Sequence, residues 1–220
     1  MRTAAHDGPV MVHSGDVVLD GYLTRPADPT ACVIVTSLGS TLQQTGYRRV
    51  ADQFGAAGYA VLILDLLTEE EHQIDSRTEH YRWNVSLLAK RLRDGIRWIE
   101  RMTDELPILV FASGSVAAAA LRVDAMTGTL SGLLLTGART DLVAEHLPRV
   151  QAPTLLLAVE SDPAVLHMNN VAVSSEMKCI RHLHVVRDVT ASMTDEQMIE
   201  EIVLHVWKWA VDHTMMTVGA

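Results

Sequence analysis

The run Leu106-Pro107-Ile108-Leu109-Val110-Phe111-Ala112-Ser113-Gly114-Ser115-Val116-Ala117-Ala118-Ala119-Ala120-Leu121 decides the fold. Ile108 to Phe111 is a short apolar run that starts behind a proline. Val116 to Leu121 is rich in alanine, the best helix former. The stretch therefore reads as a buried strand passing through small residues into a helix. The same alternation extends in both directions. Val17 to Leu23 alternates and ends at Pro26, a strand followed by a turn. Cys32-Val33-Ile34-Val35, Ala60 to Leu64, Gly132 to Leu135, Thr154 to Val159 and Ile180 to Val186 are further apolar runs. Continuous apolar strands are buried on both faces, as in a parallel sheet.

The intervening segments are helical. Leu88, Leu92, Ile96 and Ile99 fall on one helix face. Thr194-Asp195-Glu196-Gln197 fits a capping box and opens a C-terminal helix through Ile199, Ile202, Val203, Val206 and Trp207. Trp207 and Trp209 read as packing residues. Two early strands followed by strand-helix units predict an α/β protein: a mostly parallel, doubly wound sheet with helices on both faces. One domain over residues 1–220 is expected. Leu67 to Arg82 is polar, acidic and long for a loop, so 67–82 reads either as a lid or as a solvated acidic turn.

Composition narrows the function. The 220 residues are 48% hydrophobic and 20% charged, with a formal net charge of -9. No basic stripe points to nucleic acid. No run of roughly 20 apolar residues points to a membrane span, and the start lacks the apolar stretch of a signal peptide. A cytoplasmic location is the expectation. Cys32 and Cys179 read as free thiols in a reducing compartment. Zinc-type Cys/His spacings are absent, so neither a metal nor a cofactor is expected.

In doubly wound sheets ligands sit beyond the carboxyl ends of the strands. Thr36 to Thr41, Asp65 to Leu67, Ala112 to Val116, Glu160 to Asp162 and Arg187 to Ala191 are therefore the positions to read. The opening stretch resembles the nucleophile-elbow region of bacterial dienelactone-hydrolase-like α/β hydrolases, whose pattern is roughly L-P-I-G-Y-F-G-A-S-T-G-A-A-A-A-L. Asp65-Leu66-Leu67-Thr68, Leu87 to Leu92 and Leu147 to Leu156 resemble the same family. The resemblance implies an α/β-hydrolase fold and a site built for acyl transfer by Ser, His and Asp.

Carried over residue by residue, the resemblance places Gly114 where the family has its nucleophilic serine. A tight turn with positive φ is predicted there, since glycine takes that conformation at little steric cost. Ser113 and Ser115 are the neighbouring hydroxyls. Ser115, flanked by the small Ser113 and Ala117, is the better substitute, and it also reads as a first-turn serine of the helix. Asp162 falls at the triad acid, or is a turn or cap residue before Pro163. Ala191 stands at the histidine position, within Asp188-Val189-Thr190-Ala191. His182 and His184 lie on the preceding strand, and His72 and His80 in the 67–82 segment. The oxyanion loop of the family, H-G-S-G-S-S, is here Thr36-Ser37-Leu38-Gly39-Ser40-Thr41. It has lost the His-Gly pair, and a backbone donor near Leu38 is expected to persist. With one Gly and no Lys, this loop fails as a phosphate loop.

Three readings follow from these substitutions. The first is a non-hydrolytic pocket protein, with a degenerate triad, that binds an organic small molecule or acts on it as a cofactor-independent cyclase, isomerase or lyase. Asp162, Ser113, Ser115, Thr36, Ser37 and Asp188 would be its polar groups. The second retains ester or lactone hydrolysis through Ser115 and a recruited histidine. The third is a non-catalytic ligand-binding or interaction module. Homo-oligomerisation is left open.

Overall fold

A computed structural model describes residues 5–40, 44–186 and 195–214. Eight strands form one mostly parallel sheet with helices, in the order β1-β2-β4-β3-β5-β6-β7-β8. They are β1 (His6–Ser14), β2 (Val17–Arg25), β3 (Cys32–Ser37), β4 (Ala60–Asp65), β5 (Ile108–Ser113), β6 (Gly132–Thr136), β7 (Thr154–Val159) and β8 (Arg181–Val186). The helices are α1 (Thr45–Ala56), α2 (Glu69–Thr78), α3 (Val85–Met102), α4 (Gly114–Thr127), α5 (Pro163–Val171) and α6 (Asp195–Thr214), with a 3-10 stretch at Thr140–Arg149. Two compact units divide the chain, Met1–Phe111 and Ala112–Ala220.

In the first unit β1 and β2 form an antiparallel hairpin closed over Gly15 and Asp16, where Gly15 has φ 62°. Only one face of this hairpin is buried, through Val12, Leu19 and Leu23. β1 escaped the sequence reading because its run is broken by polar residues and by an exposed Met11. β3 and β4 pair in parallel and bury nearly every side chain, as their continuous apolar sequence requires. α3 lays Leu88, Leu92, Ile96 and Ile99 into the core. Cys32 is a buried free thiol, pushed up to about 11 chiefly by burial.

The polar segment 67–82 is mostly helix and not a long loop. The Thr68 hydroxyl accepts from the Glu71 N–H, and the Glu71 carboxylate accepts from the Thr68 N–H. This capping box, with Glu69, Glu70 and Glu71 in the first turn, suits the positive end of a helix. The exposed Glu69 and Glu70 thus belong to a helix start. Two buried contacts then fix α2. Asp75 accepts from the N–H groups of Tyr81 (2.7 Å) and Arg82 (2.8 Å) and from the Arg82 guanidinium (2.8 Å). Burial pulls the Asp75 carboxyl up, but those three donors outweigh it and leave it below the usual range. Arg91, buried on α3, grips both Glu71 oxygens at 2.6 and 2.7 Å and donates to the Leu66 carbonyl.

In the second unit β6, β7 and β8 pair in parallel. α4 is buried from Ser115 through Leu121. Its Asp124 is fully buried, and one oxygen accepts from the N–H groups of Gln151 (2.7 Å) and Ala152 (2.9 Å), which lead into β7. α6 seats Val206, Trp209 and Ala210 in the core. Among the described residues no helix is long and apolar enough to cross a membrane.

Candidate active site

The elbow belongs to the second unit. Ser113 ends β5 in extended conformation (φ -131°, ψ 161°), and Gly114 follows with φ 57°. A non-glycine residue there would be strained by roughly 1–2 kcal/mol, a strain that nucleophile elbows are built to hold. The positive φ predicted at Gly114 is the one the backbone adopts. Apart from its chain neighbours and the adjoining helix backbone, a side chain at Gly114 would meet nothing within 4 Å of its Cβ. Ser115 is 7% exposed in the first turn of α4. Ser113 makes no side-chain capping bond to that helix.

The segment after β6 reaches the elbow. The Arg139 N–H donates to the Gly114 carbonyl at 3.2 Å. The Arg139 guanidinium forms a two-pronged pair with Asp141, both contacts at 2.8 Å. Asp141 is held below the usual carboxylate range chiefly by that pairing. Arg139 is raised by Asp141 against the opposing effect of burial, and Asp162 adds a smaller pull. Asp162 itself caps α5: its carboxylate accepts from the Val165 N–H at 3.1 Å, and Pro163 starts the helix. Asn169, fully buried, donates to the carbonyls of Ala138 (3.2 Å) and Val165 (2.9 Å), while its Oδ1 has no partner. Arg139 and Asp141 were missed in the sequence because the strand end after Gly132–Leu135 was left unread. Their signal was available, as an Arg-x-Asp immediately beyond an apolar run.

The oxyanion-loop residues lie in the first unit and are largely occupied. The Thr36 hydroxyl donates to the Leu64 carbonyl at 2.8 Å. Ser37 is buried, donating to the Gly39 carbonyl and accepting from the Gln44 amide. The Leu38 carbonyl accepts from the Leu67 N–H at 2.7 Å. Ser40, at φ 56°, donates its N–H to Asp65. His72 of α2 packs against Gly39, and its Nδ1 is buried without a partner. His80 is exposed, edge-on to Tyr81. Two hollows of about 320 and 420 Å³ in this unit lie along β1, β2 and β4, and none of the oxyanion-loop residues lines them. Asp188 and Ala191 lie outside the described residues.

No family model matches the sequence. A dienelactone hydrolase from Anabaena variabilis has the same fold, with a TM-score of 0.85 and 30% identity over 96% of this chain and 99% of that one. Est1E from Butyrivibrio proteoclasticus superposes with a TM-score of 0.74 over 94% of this chain and 98% of that one, at 12% identity, which speaks for the fold alone. Two Mycobacterium tuberculosis proteins named "Putative phosphoribosyl transferase" are 32% identical over 212 residues. That match covers 94% of this chain and 46% of theirs, so the chain spans about half the length of the curated relatives it matches. The elbow geometry, the strand order and the full-length match to the Anabaena enzyme agree: the chain belongs to the dienelactone hydrolase family of α/β hydrolases.

Proposed function

We propose that this chain is a non-hydrolytic member of its family that binds an organic small molecule or converts it without a cofactor, as a lyase, isomerase or cyclase. The observation that carries the reading is Gly114. The backbone holds a nucleophile's conformation at a residue with no side chain. The sequence supplies Ala191 where the family has its histidine, so the general base is lost along with the nucleophile. The Asp162 carboxylate is engaged with the Val165 N–H, which supports a capping role for it over a chemical one. Ser115 is buried in the first turn of α4, which argues against its use as a substitute. The phosphoribosyl transfer in the name of the longer mycobacterial relatives we assign to their remaining length, since the loop after β3 has one Gly and no Lys to hold a phosphate. The free thiols and acidic charge support a cytoplasmic protein that does not bind nucleic acid.

A fluorophosphonate probe and a nitrophenyl ester test this directly. A working triad contributes on the order of 10⁶ in kcat, so the wild-type protein should stay unlabelled and show only weak residual ester hydrolysis, at most about 10³–10⁴-fold over water. Gly114→Ser combined with Ala191→His should gain labelling at position 114, because the turn already has the conformation and the space. Stoichiometric labelling of wild-type Ser115 would overturn the reading and restore the hydrolase.

A further inference from the structure

The second unit carries a histidine-rich seam that the elbow does not use. His182 and His184, two apart on β8, share one face of the strand. Glu201, His205, Trp209 and His213, four apart on α6, form one stripe of the helix. Strand face and helix stripe meet residue against residue. The Trp209 indole N–H donates to His182 Nδ1 at 2.8 Å, and His213 stacks on Trp209 at 4.5 Å. One step further along, His184 stacks on His205 at 3.6 Å, with ring planes 25° apart.

Beside that stack, His184, Glu201 and His205 each place one ligand atom within 4.8 Å of the others. The contacts of the two rings leave a nitrogen of each for an ion. His205 Nδ1 lies 2.9 Å from the Glu201 carbonyl, which can only accept. Nδ1 is therefore the donor in that contact, which leaves Nε2 as the nitrogen to meet an ion. A backbone carbonyl fixing the far nitrogen is the usual support for a metal-binding histidine. His184 Nε2 is buried with no hydrogen-bond partner. It stands 3.6 Å from Glu201 Oε1, too long for a hydrogen bond. Two donors about 2.0–2.2 Å from one zinc-sized ion at a tetrahedral angle are about 3.4 Å apart. His182 is excluded as a ligand through Nδ1, which the Trp209 indole occupies.

We propose that His184, Glu201 and His205 bind one divalent transition-metal ion of the zinc class. Two imidazoles and a carboxylate favour such ions over Mg²⁺ or Ca²⁺. Binding requires one stacked imidazole to turn about its Cβ–Cγ bond, and His184 loses no hydrogen bond through Nε2 in doing so. The His184 and Glu201 side chains are 31% and 29% exposed, so the turn that brings the buried His184 Nε2 to the ion takes place near the surface, where water completes the shell. The ion pins α6 to β8.

Isothermal titration of chelator-treated protein with Zn²⁺ tests the site, with Co²⁺ as the spectroscopic probe. One ion per chain, a raised Tm and a visible-range Co²⁺ band are expected. His184→Ala, His205→Ala and the isosteric Glu201→Gln should each weaken binding by more than about 10-fold. His182→Ala and His213→Ala should retain it, and circular dichroism establishes that each variant is folded. Absence of saturable binding to the wild type, or affinity that survives Glu201→Gln and His184→Ala, would overturn the assignment. So would loss of binding in His213→Ala alone.

Discussion

Glu71→Ala lowers the unfolding free energy by about 3–5 kcal/mol, read as an earlier midpoint in urea. The substitution leaves the buried Arg91 guanidinium with the Leu66 carbonyl as its remaining partner among the described residues. Removing one partner of a buried pair costs more than the pair contributes, because the remaining charge stays desolvated. Against a total stability of about 5–15 kcal/mol, that loss is severe. Replacing both residues, as Glu71→Leu with Arg91→Met, should recover most of it. The same pair sets a pH dependence. The Arg91 guanidinium holds the Glu71 carboxyl below the usual range, with burial opposing and the Thr68 N–H assisting. The folded pKa lies below the unfolded one, so in acid the unfolded state binds more protons. The stabilisation is complete above the ordinary glutamate pKa of about 4.3 and is lost as the pH falls through the lower folded value. Glu71→Gln should flatten that part of a Tm-against-pH curve. A Glu71→Ala cost under about 1 kcal/mol, the range of exposed pairs, would mean that the pair is solvated and does not anchor α2.

Asp124→Ala should cost about 1–3 kcal/mol for the buried Ala152 donor that it strands, with a smaller addition from the more exposed Gln151 donor. Those donors, Gln151 and Ala152, precede β7, so the loss loosens the entry into the strand that ends before Asp162. Asp124→Asn should fall between wild type and alanine. Its one oxygen can keep the two acceptor bonds, but the new amide N–H₂ replaces the Asp124 Oδ1 that has no partner. Chemical denaturation gives the cost, and hydrogen exchange at the Gln151 and Ala152 amides gives its location. Unchanged exchange at both amides in Asp124→Ala would refute the account.

The strands buried on both faces were legible because uninterrupted apolar runs have few other uses. β1 was not, because a half-exposed edge strand resembles surface sequence. α2 was hidden for a different reason. Its helical signal lies in a cap, Thr68 with Glu71, and in contacts with Arg82 and Arg91, while its apolar periodicity is weak. At the turn after β5, the family resemblance placed Gly114 so that its positive φ could be foretold, although the serines on either side offered a shift of one residue. Arg139 and Asp141 were visible in the sequence as an Arg-x-Asp after β6, but that Arg139 reaches the Gly114 carbonyl through its N–H follows only from the fold. The spacing of Glu201 and His205 is visible in the sequence, but His184 joins them only through the packing of α6 on β8.

The clamp on α2 also bears on how the chain meets a protease. Arg77 and Arg82 sit in the stretch whose sequence looks most open to trypsin. A protease must draw several residues out as an extended strand, and here Arg77 is inside a helix while Arg82 has its guanidinium and its N–H on Asp75. Cleavage at either site has to wait for α2 to open locally. Its rate in the native protein therefore follows the population of that opened form and not the accessibility suggested by composition. Limited digestion of wild type and Glu71→Ala side by side would read that population, with nicking after Arg77 or Arg82 accelerated in the variant.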